Sequence, residues 1–428
     1  MAYETVNGYC WPQSVAPGER VALHLSSSGG RPVSVEVARV GATREVVFSE
    51  GGVPARDHPT PTDAPEQGCG WPVAAEIVAD AGWRSGYYEV LLTVDVDGKL
   101  RSGRAFFVVR PDLATTTARI LWAIDTNTWH AYNDFGGRNL YSGATQASML
   151  RPMAPGYLYK PPGAGQRVTS LHPPDHQSAS HVGYLRMNHL SPWGGSAGWP
   201  NWSGPFIEWA EREGYEIDVV TNADLEEHPE LLGPDSPYSL YLSIGHDEYW
   251  SAPMRDTVEA FAARGGNTVF FSGNTAFWQV RLEDPTGPDG AGPAATMVGY
   301  KGFFKQDPVF GTDRQAELTT IWSDHLWARQ VGYLRLNHRP RWGGSAGWPN
   351  WWGPFVEWAA RVVYEIAVVT NGDLAEHPEL LGPDSPYSLY LSIGHDEYWS
   401  APMRDTVEAF AARGGNTVFF SGNTAFWQ

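Results

Sequence analysis

The sequence predicts an α/β protein with an N-terminal β-sandwich, then a doubly wound, mostly parallel sheet, then a partial C-terminal duplicate of that sheet domain. Three observations carry this prediction. Short alternating apolar runs fill residues 1–112, a strand–loop–helix–strand pattern covers 238–274, and residues 182–279 recur almost unchanged as 331–428. The expected domain boundaries are 1–112, 113–329 and 330–428.

The N-terminal portion is expected to be all-β. Alternating runs such as RVALHL (20–25), VSVEV (33–37) and YEVLLTV (88–94) are separated by Gly, Pro and Asp turns. Several short strands at this spacing are typical of a small β-sandwich. Because the segment contains no recognisable catalytic constellation, we expect it to serve in packing or accessory binding.

The α/β region begins with an uninterrupted apolar strand, RILWAI (119–124). The following segment, TWHAYNDFGGRNLYS, is predicted to be an irregular, Gly-containing loop that carries Tyr132 and Tyr141. Tyrosines placed directly after a buried strand can be functional, but an aromatic cover over the sheet would use the same residues. Position alone leaves both interpretations open.

The strongest pattern lies between Tyr238 and Asn274. Apolar residues alternate up to Ile244, and a loop with His246, Asp247, Glu248 and Tyr249 follows. Ser251 is a natural N-cap for a helix that Gly265 and Gly266 end, and an apolar strand comes next. Ligands of open parallel sheets bind beyond the carboxyl ends of the strands, so we expect the chemistry in this loop.

Composition limits the classes of partner. The chain has 428 residues and a formal net charge of −18, which disfavours nucleic acids and anionic membrane surfaces. It has no apolar run near the roughly 20 residues of a membrane span and no visible secretory signal. We therefore expect a soluble, cytoplasmic protein.

The two cysteines, Cys10 and Cys69, both precede the α/β region. They could form a disulfide or remain two reduced thiols, and the sequence favours the thiols because no export signal is visible. Since no cysteine follows Cys69, the α/β region is expected to use neither a thiol nucleophile nor a thiolate metal site.

The internal repeat differs from its first copy at only 12 of 98 positions, and residues 227–279 recur unchanged as 376–428. One change replaces Gly214, a predicted helix C-cap, by Val363, whose branched side chain resists positive φ. The pattern favours a recent partial duplication or a spliced gene model over a functional second lobe. A lobe of this kind that folded would have unpaired sheet edges.

His246, Glu248 and Asn274 are the candidate catalytic residues. His246 and Glu248 lie two residues apart in the strand-end loop, and Asn274 ends the next strand at the same edge of the sheet. Glutamate can act as a hard metal ligand or a base, histidine can move protons, and asparagine can donate to a carbonyl oxygen. A loop that is only structurally hydrogen-bonded would explain the same residues.

These residues carry a resemblance to a known family. SIGHDEYWS, the preceding DVVTNADL, the following FFSGN and the upstream TWHAYN and LYSG are similar to the C-terminal region of the large (beta) subunit of N,N-dimethylformamidase over about residues 115–325. The resemblance implies a glutamine-amidotransferase-like fold. It also implies a mononuclear Fe(III) site with Tyr132, Tyr141 and Glu248 as ligands, and His246 and Asn274 beside the metal.

The expected function is accordingly an iron-dependent, amidohydrolase-like enzyme that converts a small N-substituted amide to an amine and a carboxylate. Its partners would be the amide substrate and, in an assembly, a second copy or a small partner subunit. In the repeat, His395, Glu397 and Asn423 recur without the tyrosine pair, so we expect no iron there. The alternatives are a non-catalytic binding protein, with Trp199 and Trp202 holding a carbohydrate, and an inactive relative of the enzyme.

Overall fold

The structure is a computed structural model, and it describes residues 5–160, 197–285, 293–322, 366–396, 398–422 and 425. The chain forms two compact units. The first comprises Met1–Val269 and Trp278–Thr320, and the second comprises Phe270–Phe277 and Ile321–Gln428. The predicted boundary at 329/330 lies outside the described residues, and the boundary at 112/113 stays a prediction.

The N-terminal strands form two sheets around one core, in agreement with the predicted sandwich. One sheet has the order β1-β3-β6 and the other β2-β8-β7-β4-β5. Apolar side chains from both sheets, among them Leu23, Val37 and Val90, are fully buried in a shared cluster. The strands are β1 (Val6–Trp11), β2 (Ser14–Val15), β3 (Arg20–Ser27), β4 (Val33–Val40), β5 (Arg44–Val53), β6 (Val73–Val78), β7 (Gly86–Val96) and β8 (Lys99–Val109).

A second architecture follows, centred on a four-stranded sheet of order β11-β9-β12-β14. Both β11 and β12 run parallel to β9, as predicted. The interior strand β9 reads ILWAI and is almost wholly buried, which explains its unbroken apolar sequence. The strands are β9 (Ile120–Ile124), β11 (Ile217–Thr221), β12 (Leu240–His246) and β14 (Asn267–Gly273).

The structure also contains a mixed sheet of order β10-β16-β15-β13, which was not predicted. In it β16 runs antiparallel to both β10 and β15, whereas β13 and β15 are parallel. Two of its strands have only three residues, too few to show a two-residue alternation. The strands are β10 (Gln146–Ser148), β13 (Tyr249–Ser251), β15 (Trp278–Pro285) and β16 (Ala294–Val298).

The helices of the first unit agree partly with the sequence. In α5, the Ser251 hydroxyl accepts a hydrogen bond from the Met254 amide, and Gly265 follows the helix at φ 96°, as predicted. Gly214 likewise follows α3 at φ 85°. The predicted loop at TWHAYN is instead the helix α2. The helices are α1 (Ala64–Gln67), α2 (Thr126–Tyr132), α3 (Ser203–Arg212), α4 (Asp224–Glu227) and α5 (Ala252–Ala263), with 3₁₀ turns Ser28–Gly30, Pro229–Leu232, Lys301–Gln306 and Gln315–Glu317.

Within the second unit, one strand–helix–strand segment repeats the local structure of the first copy. Its two strands are parallel, and the Ser400 hydroxyl caps the following helix as Ser251 does. A small core includes Leu374, Met403 and Phe410. The elements are α6 (Asn371–Glu376), the 3₁₀ turn Pro378–Leu381, β17 (Leu389–His395), α7 (Ala401–Ala412) and β18 (Asn416–Gly422).

Cys10 and Cys69 are both free and buried, so the disulfide alternative is excluded and the two-thiol interpretation holds. No helix within the described ranges combines the length and the apolarity that crossing a bilayer requires.

A buried ion pair joins the sandwich to the parallel-sheet region within the first unit. The Arg39 guanidinium on β4 donates to Glu211 on α3 at 2.6 Å, and the Ala42 amide donates to the other carboxylate oxygen at 2.7 Å. The Arg39 side chain is 7% exposed and that of Glu211 18%. A Cβ at Gly41 would collide with this carboxylate, so the close approach depends on glycine there.

We predict that Glu211→Gln lowers the free energy of unfolding by about 2 kcal/mol at pH 7, because it leaves the buried Arg39 without a counter-charge. Urea unfolding measures this. The matched control is Glu208→Gln on the same helix, whose partner Arg212 is exposed. It should change stability by less than about 0.5 kcal/mol. Equal losses in the two variants would contradict this account.

The same pair predicts a pH dependence. Burial opposes ionisation of Glu211, but the Arg39 hydrogen bond and the Ala42 amide outweigh it and lower the pKa of Glu211 below its usual 4.5. The stabilisation is therefore complete above the unfolded-state pKa and is lost as the pH falls through the lower folded-state pKa. The stability gap between wild type and Glu211→Gln should shrink below about pH 4.5.

Candidate functional site

The predicted site residues of the first unit lie where the carboxyl ends of β9 and β12 meet. Tyr132 ends α2, the helix that follows β9, and Tyr141 lies nine residues later in the loop. His246 is the last residue of β12, and Glu248 lies between β12 and β13. All of α2 is buried. Its sequence therefore lacks the amphipathic pattern by which a surface helix is predicted.

Three side chains bring their oxygen atoms together at this edge. The Tyr132 hydroxyl donates to Glu248 Oε2 at 2.9 Å, and the Tyr141 hydroxyl donates to Glu248 Oε1 at 2.7 Å. The two hydroxyl oxygens are 2.9 Å apart. We call Tyr132, Tyr141 and Glu248 the oxygen cluster. It consists of the three residues that the resemblance implied as ligands.

Two further groups contact the Glu248 carboxylate. The Trp278 indole N–H donates to Oε1 at 2.9 Å, and His246 Nε2 lies 3.3 Å from Oε2. Burial opposes ionisation of Glu248, but the hydrogen bond and charge of His246, the charge of Lys301 and the Tyr141 hydroxyl lower its pKa to about 2. Glu248 is therefore an anion in a buried setting, held by donors on several sides.

The tyrosines respond in the opposite sense. Burial, followed by the negative charge of Glu248, raises the pKa of both Tyr132 and Tyr141 well above the ordinary value. Each hydroxyl therefore keeps its proton and donates a hydrogen bond to the carboxylate. Ionising both phenols here requires a strong cation among the three oxygens.

Sequence reasoning missed Lys301. This lysine is 8% exposed, and its ammonium donates to the Tyr249 hydroxyl at 3.0 Å. The same nitrogen lies 3.1 Å from the centre of the Tyr141 ring. Burial lowers the pKa of Lys301 to about 7, against the attraction of Glu248. No motif marks this residue, since it lies far from Glu248 in sequence and in the group YKGFF.

The polar residues directly after β9 hold the loop that carries His246 and Glu248. The Glu248 amide donates to the Thr128 hydroxyl at 2.9 Å, and the Asn127 side chain donates to the Tyr249 carbonyl at 3.1 Å. The His246 amide donates to the buried Asp125 at 3.3 Å. The segment DTNT, visible in the sequence as the end of an apolar strand, thus fixes the backbone on which His246 and Glu248 stand.

A second set of contacts holds the tyrosine loop. The Arg151 guanidinium is fully buried and donates to the carbonyls of Ser148 at 3.0 Å, Phe135 at 2.6 Å and His130 at 3.4 Å. The Asn139 side chain donates to the Tyr132 carbonyl at 2.8 Å and accepts from the Tyr141 amide at 2.9 Å. These bonds bracket both tyrosines.

The described structure does not test the remaining predicted site residues. Asn274, at φ 52°, falls in the stretch 270–277 that belongs to the second unit, so its role stays a prediction. The side chains of His395, Glu397 and Asn423 lie outside the described residues. Across the described ranges, no group of three or more His, Cys, Asp or Glu side chains has the arrangement of a metal site. The oxygen cluster contains two tyrosines and one glutamate, so it is not a group of this composition.

The tryptophans of the alternative hypothesis differ in accessibility. Trp199 is 7% exposed and stacks on Tyr87 with ring centres 3.7 Å apart, whereas Trp202 is 43% exposed. Trp199 therefore packs the α/β region against the sandwich and is not available to stack on a sugar in this structure.

We predict that Arg151→Met destabilises the protein by about 3 kcal/mol, because it removes the donor of three buried carbonyl groups around the tyrosine loop. Arg138→Met is the control. Arg138 lies in the same loop and pairs with Glu66, but its side chain is 51% exposed. Its loss should cost less than about 0.5 kcal/mol. Urea unfolding of both variants tests the difference, and a stable Arg151→Met protein would refute the assigned role.

The sequence model of the family described as N,N-dimethylformamidase beta subunit-like, C-terminal, matches residues 34–333 and, separately, 328–428. The first match begins inside the sandwich, so the likeness extends beyond the expected 115–325. The N,N-dimethylformamidase beta subunit of an Alcaligenes species is 32% identical over 77 residues, which are 18% of this chain and 10% of that protein. The alignment thus spans about a tenth of this curated relative. Because the family match covers well over half of the sequence, the chain belongs to the N,N-dimethylformamidase beta subunit-like, C-terminal family.

Proposed function

We propose that this chain is an iron-dependent, amidohydrolase-like enzyme that hydrolyses a small N-substituted amide to an amine and a carboxylate. One observation carries the proposal. Two phenol oxygens and a carboxylate from three separate segments converge at 2.7–2.9 Å in a buried place. A purely structural loop closure would not require two tyrosines to share one carboxylate.

The residues present fit a ferric ion. All three donors are oxygens, one is already an anion, and the other two are phenols that a strongly charged cation can ionise. Tyr132, Tyr141 and Glu248 would hold the ion, which leaves His246 and Trp278 to orient the carboxylate from outside. A bound ferric ion would supply Lewis acidity for polarising an amide carbonyl and activating water.

The chain's own residues supply the remaining tasks. Amide hydrolysis adds water to the carbonyl carbon, breaks the C–N bond and delivers a proton to the leaving nitrogen. His246 Nε2 faces the oxygen cluster, so His246 can take the proton of the attacking water and return it to the amine. Asn274 is proposed to donate a hydrogen bond to the substrate carbonyl oxygen. Burial of the cluster limits competing water.

The substrate class, the partners and the compartment are proposals at the same level. The name of the relative, N,N-dimethylformamidase, makes N,N-dialkylformamides the first amides to test. A homo-oligomer, or an assembly with a small partner subunit, would agree with the word subunit in that name. A cytoplasmic location remains part of the proposal.

We predict that the purified protein contains about one iron per chain and absorbs visible light through a tyrosinate-to-Fe(III) transition. Tyr132→Phe and Glu248→Gln should lose both the iron and the colour. The control is Tyr238→Phe, which removes a buried hydroxyl that donates to Asp218 at 2.6 Å. It should keep both. Elemental analysis and absorption spectra decide. A colourless wild-type protein that resists iron loading would refute the proposal, and about two irons per chain would show that the repeat also binds metal.

We predict that His246→Ala lowers the rate of amide hydrolysis on the order of 10²- to 10⁴-fold, because it removes the proton shuttle. The iron and the colour should remain, because Tyr132, Tyr141 and Glu248 are all still present to hold the ion and Trp278 still orients the carboxylate. Amine release from N,N-dimethylformamide measures the rate. His228→Ala is the control, since the His228 imidazole pairs with the exposed Glu230 at 3.1 Å. An undiminished rate in His246→Ala would exclude the shuttle.

A further inference from the structure

Lys301 occupies an unusual position next to the oxygen cluster. It opens the 3₁₀ turn Lys301–Gln306 with φ 55°, in the left-handed region that residues other than glycine rarely adopt. Within the described residues, its buried ammonium makes one hydrogen bond, to the Tyr249 hydroxyl. A buried cation on a strained backbone is costly, and such features concentrate at functional sites.

The surrounding structure enforces this conformation. The Lys301 amide donates to the Thr319 carbonyl at 2.7 Å, and the Tyr300 amide donates to the Thr319 hydroxyl at 2.8 Å. That hydroxyl in turn donates to Asp307, which Arg281 holds with two hydrogen bonds of 2.8 and 3.0 Å. These hydrogen bonds hold the left-handed turn in place and so fix the direction in which the Lys301 side chain leaves the backbone.

Three aromatic rings lie close to the Lys301 ammonium. The ammonium nitrogen lies 3.1 Å from the centre of the Tyr141 ring, 4.9 Å from that of Trp278 and 5.5 Å from that of Tyr249. All three distances are within the roughly 6 Å range of cation–π attraction. The closest ring belongs to Tyr141, whose hydroxyl reaches Glu248. Trp278 contacts the same carboxylate through its indole N–H.

We propose that Lys301 is a positioning and tuning residue of the metal centre. Its ammonium holds the Tyr141 ring against Glu248 and withdraws electron density from that ring. The inference rests on the proposed function, because it assigns Lys301 a role toward a ferric ion held by Tyr141.

The effect of Lys301 on the metal centre depends on the position of its positive charge over the Tyr141 ring. A cation over the face of a phenolate stabilises the filled π orbitals of that ring. Tyr141 would then donate less charge to a bound ferric ion than Tyr132, and the ion would supply stronger Lewis acidity. The energy of the tyrosinate-to-Fe(III) transition rises for the same reason, so the absorption spectrum reports the contact directly.

The test replaces Lys301 by methionine, which has similar length and no charge, in the full-length ferric protein. The visible band of Lys301→Met should move to longer wavelength than that of wild type. Lys305→Met is the control, because Lys305 is exposed on the same 3₁₀ turn. Its band should not move. Lys301→Arg, which keeps the charge, should restore a band close to that of wild type.

The outcomes separate this inference from the proposed function. A coloured wild-type protein whose band is unchanged in a folded Lys301→Met variant overturns the tuning role alone. A colourless wild-type protein overturns the proposed function and this inference with it. If Lys301→Met fails to fold, as judged by circular dichroism, Lys301→Gln takes its place, and the same band shift is required of it. A Lys301→Arg band shifted as far as that of the neutral variant also contradicts the role of charge.

Discussion

The burial of one carboxylate organises this part of the molecule. Glu248 is 3% exposed, and an ionised carboxylate in such a setting is stable only when donors replace the lost water. Its donors come from four places: the end of α2, the loop after it, the end of β12 and the start of β15. Satisfying this single charge therefore fixes four segments, distant in sequence, relative to one another.

Local sequence signals predicted the framework of the site, and contacts remote in sequence determined the rest. The strand before His246 and the cap at Ser251 depend on residues within a few positions of each other, so both were predictable. The helix α2 was not predictable, because its polar residues are buried along with its apolar ones, and the alternation between them does not mark an exposed face. Lys301 was also hidden, since its role depends on backbone conformation and on rings up to 160 positions away.

The repeat also distinguishes structure that depends on local sequence from structure that depends on distant partners. The helix Ala401–Ala412 and its serine cap match the first copy, because their determinants lie inside the repeated segment. The strand Ile217–Thr221 has no such independence, since it pairs with β9, which precedes the repeat. Its counterpart at 366–370 has no strand assignment and is exposed, and Val368 is 59% exposed where Val219 is 1% exposed. Nearly the same residues thus take different structures when the partner strand is not repeated.

The substitutions in the repeat follow this loss of partners. Glu211, which binds Arg39 of the sandwich, becomes Ala360, and Asp218, which accepts from Thr116, becomes Ala367. Arg39 and Thr116 both lie outside the repeated segment, although Asp218 has a further partner, Tyr238, inside it. A buried charge that loses such a partner costs solvation. The tyrosines of the oxygen cluster also precede the repeat. A glutamate at the end of a parallel strand is therefore only one part of this centre, and the centre requires the preceding strand, helix and loop that the repeat does not contain.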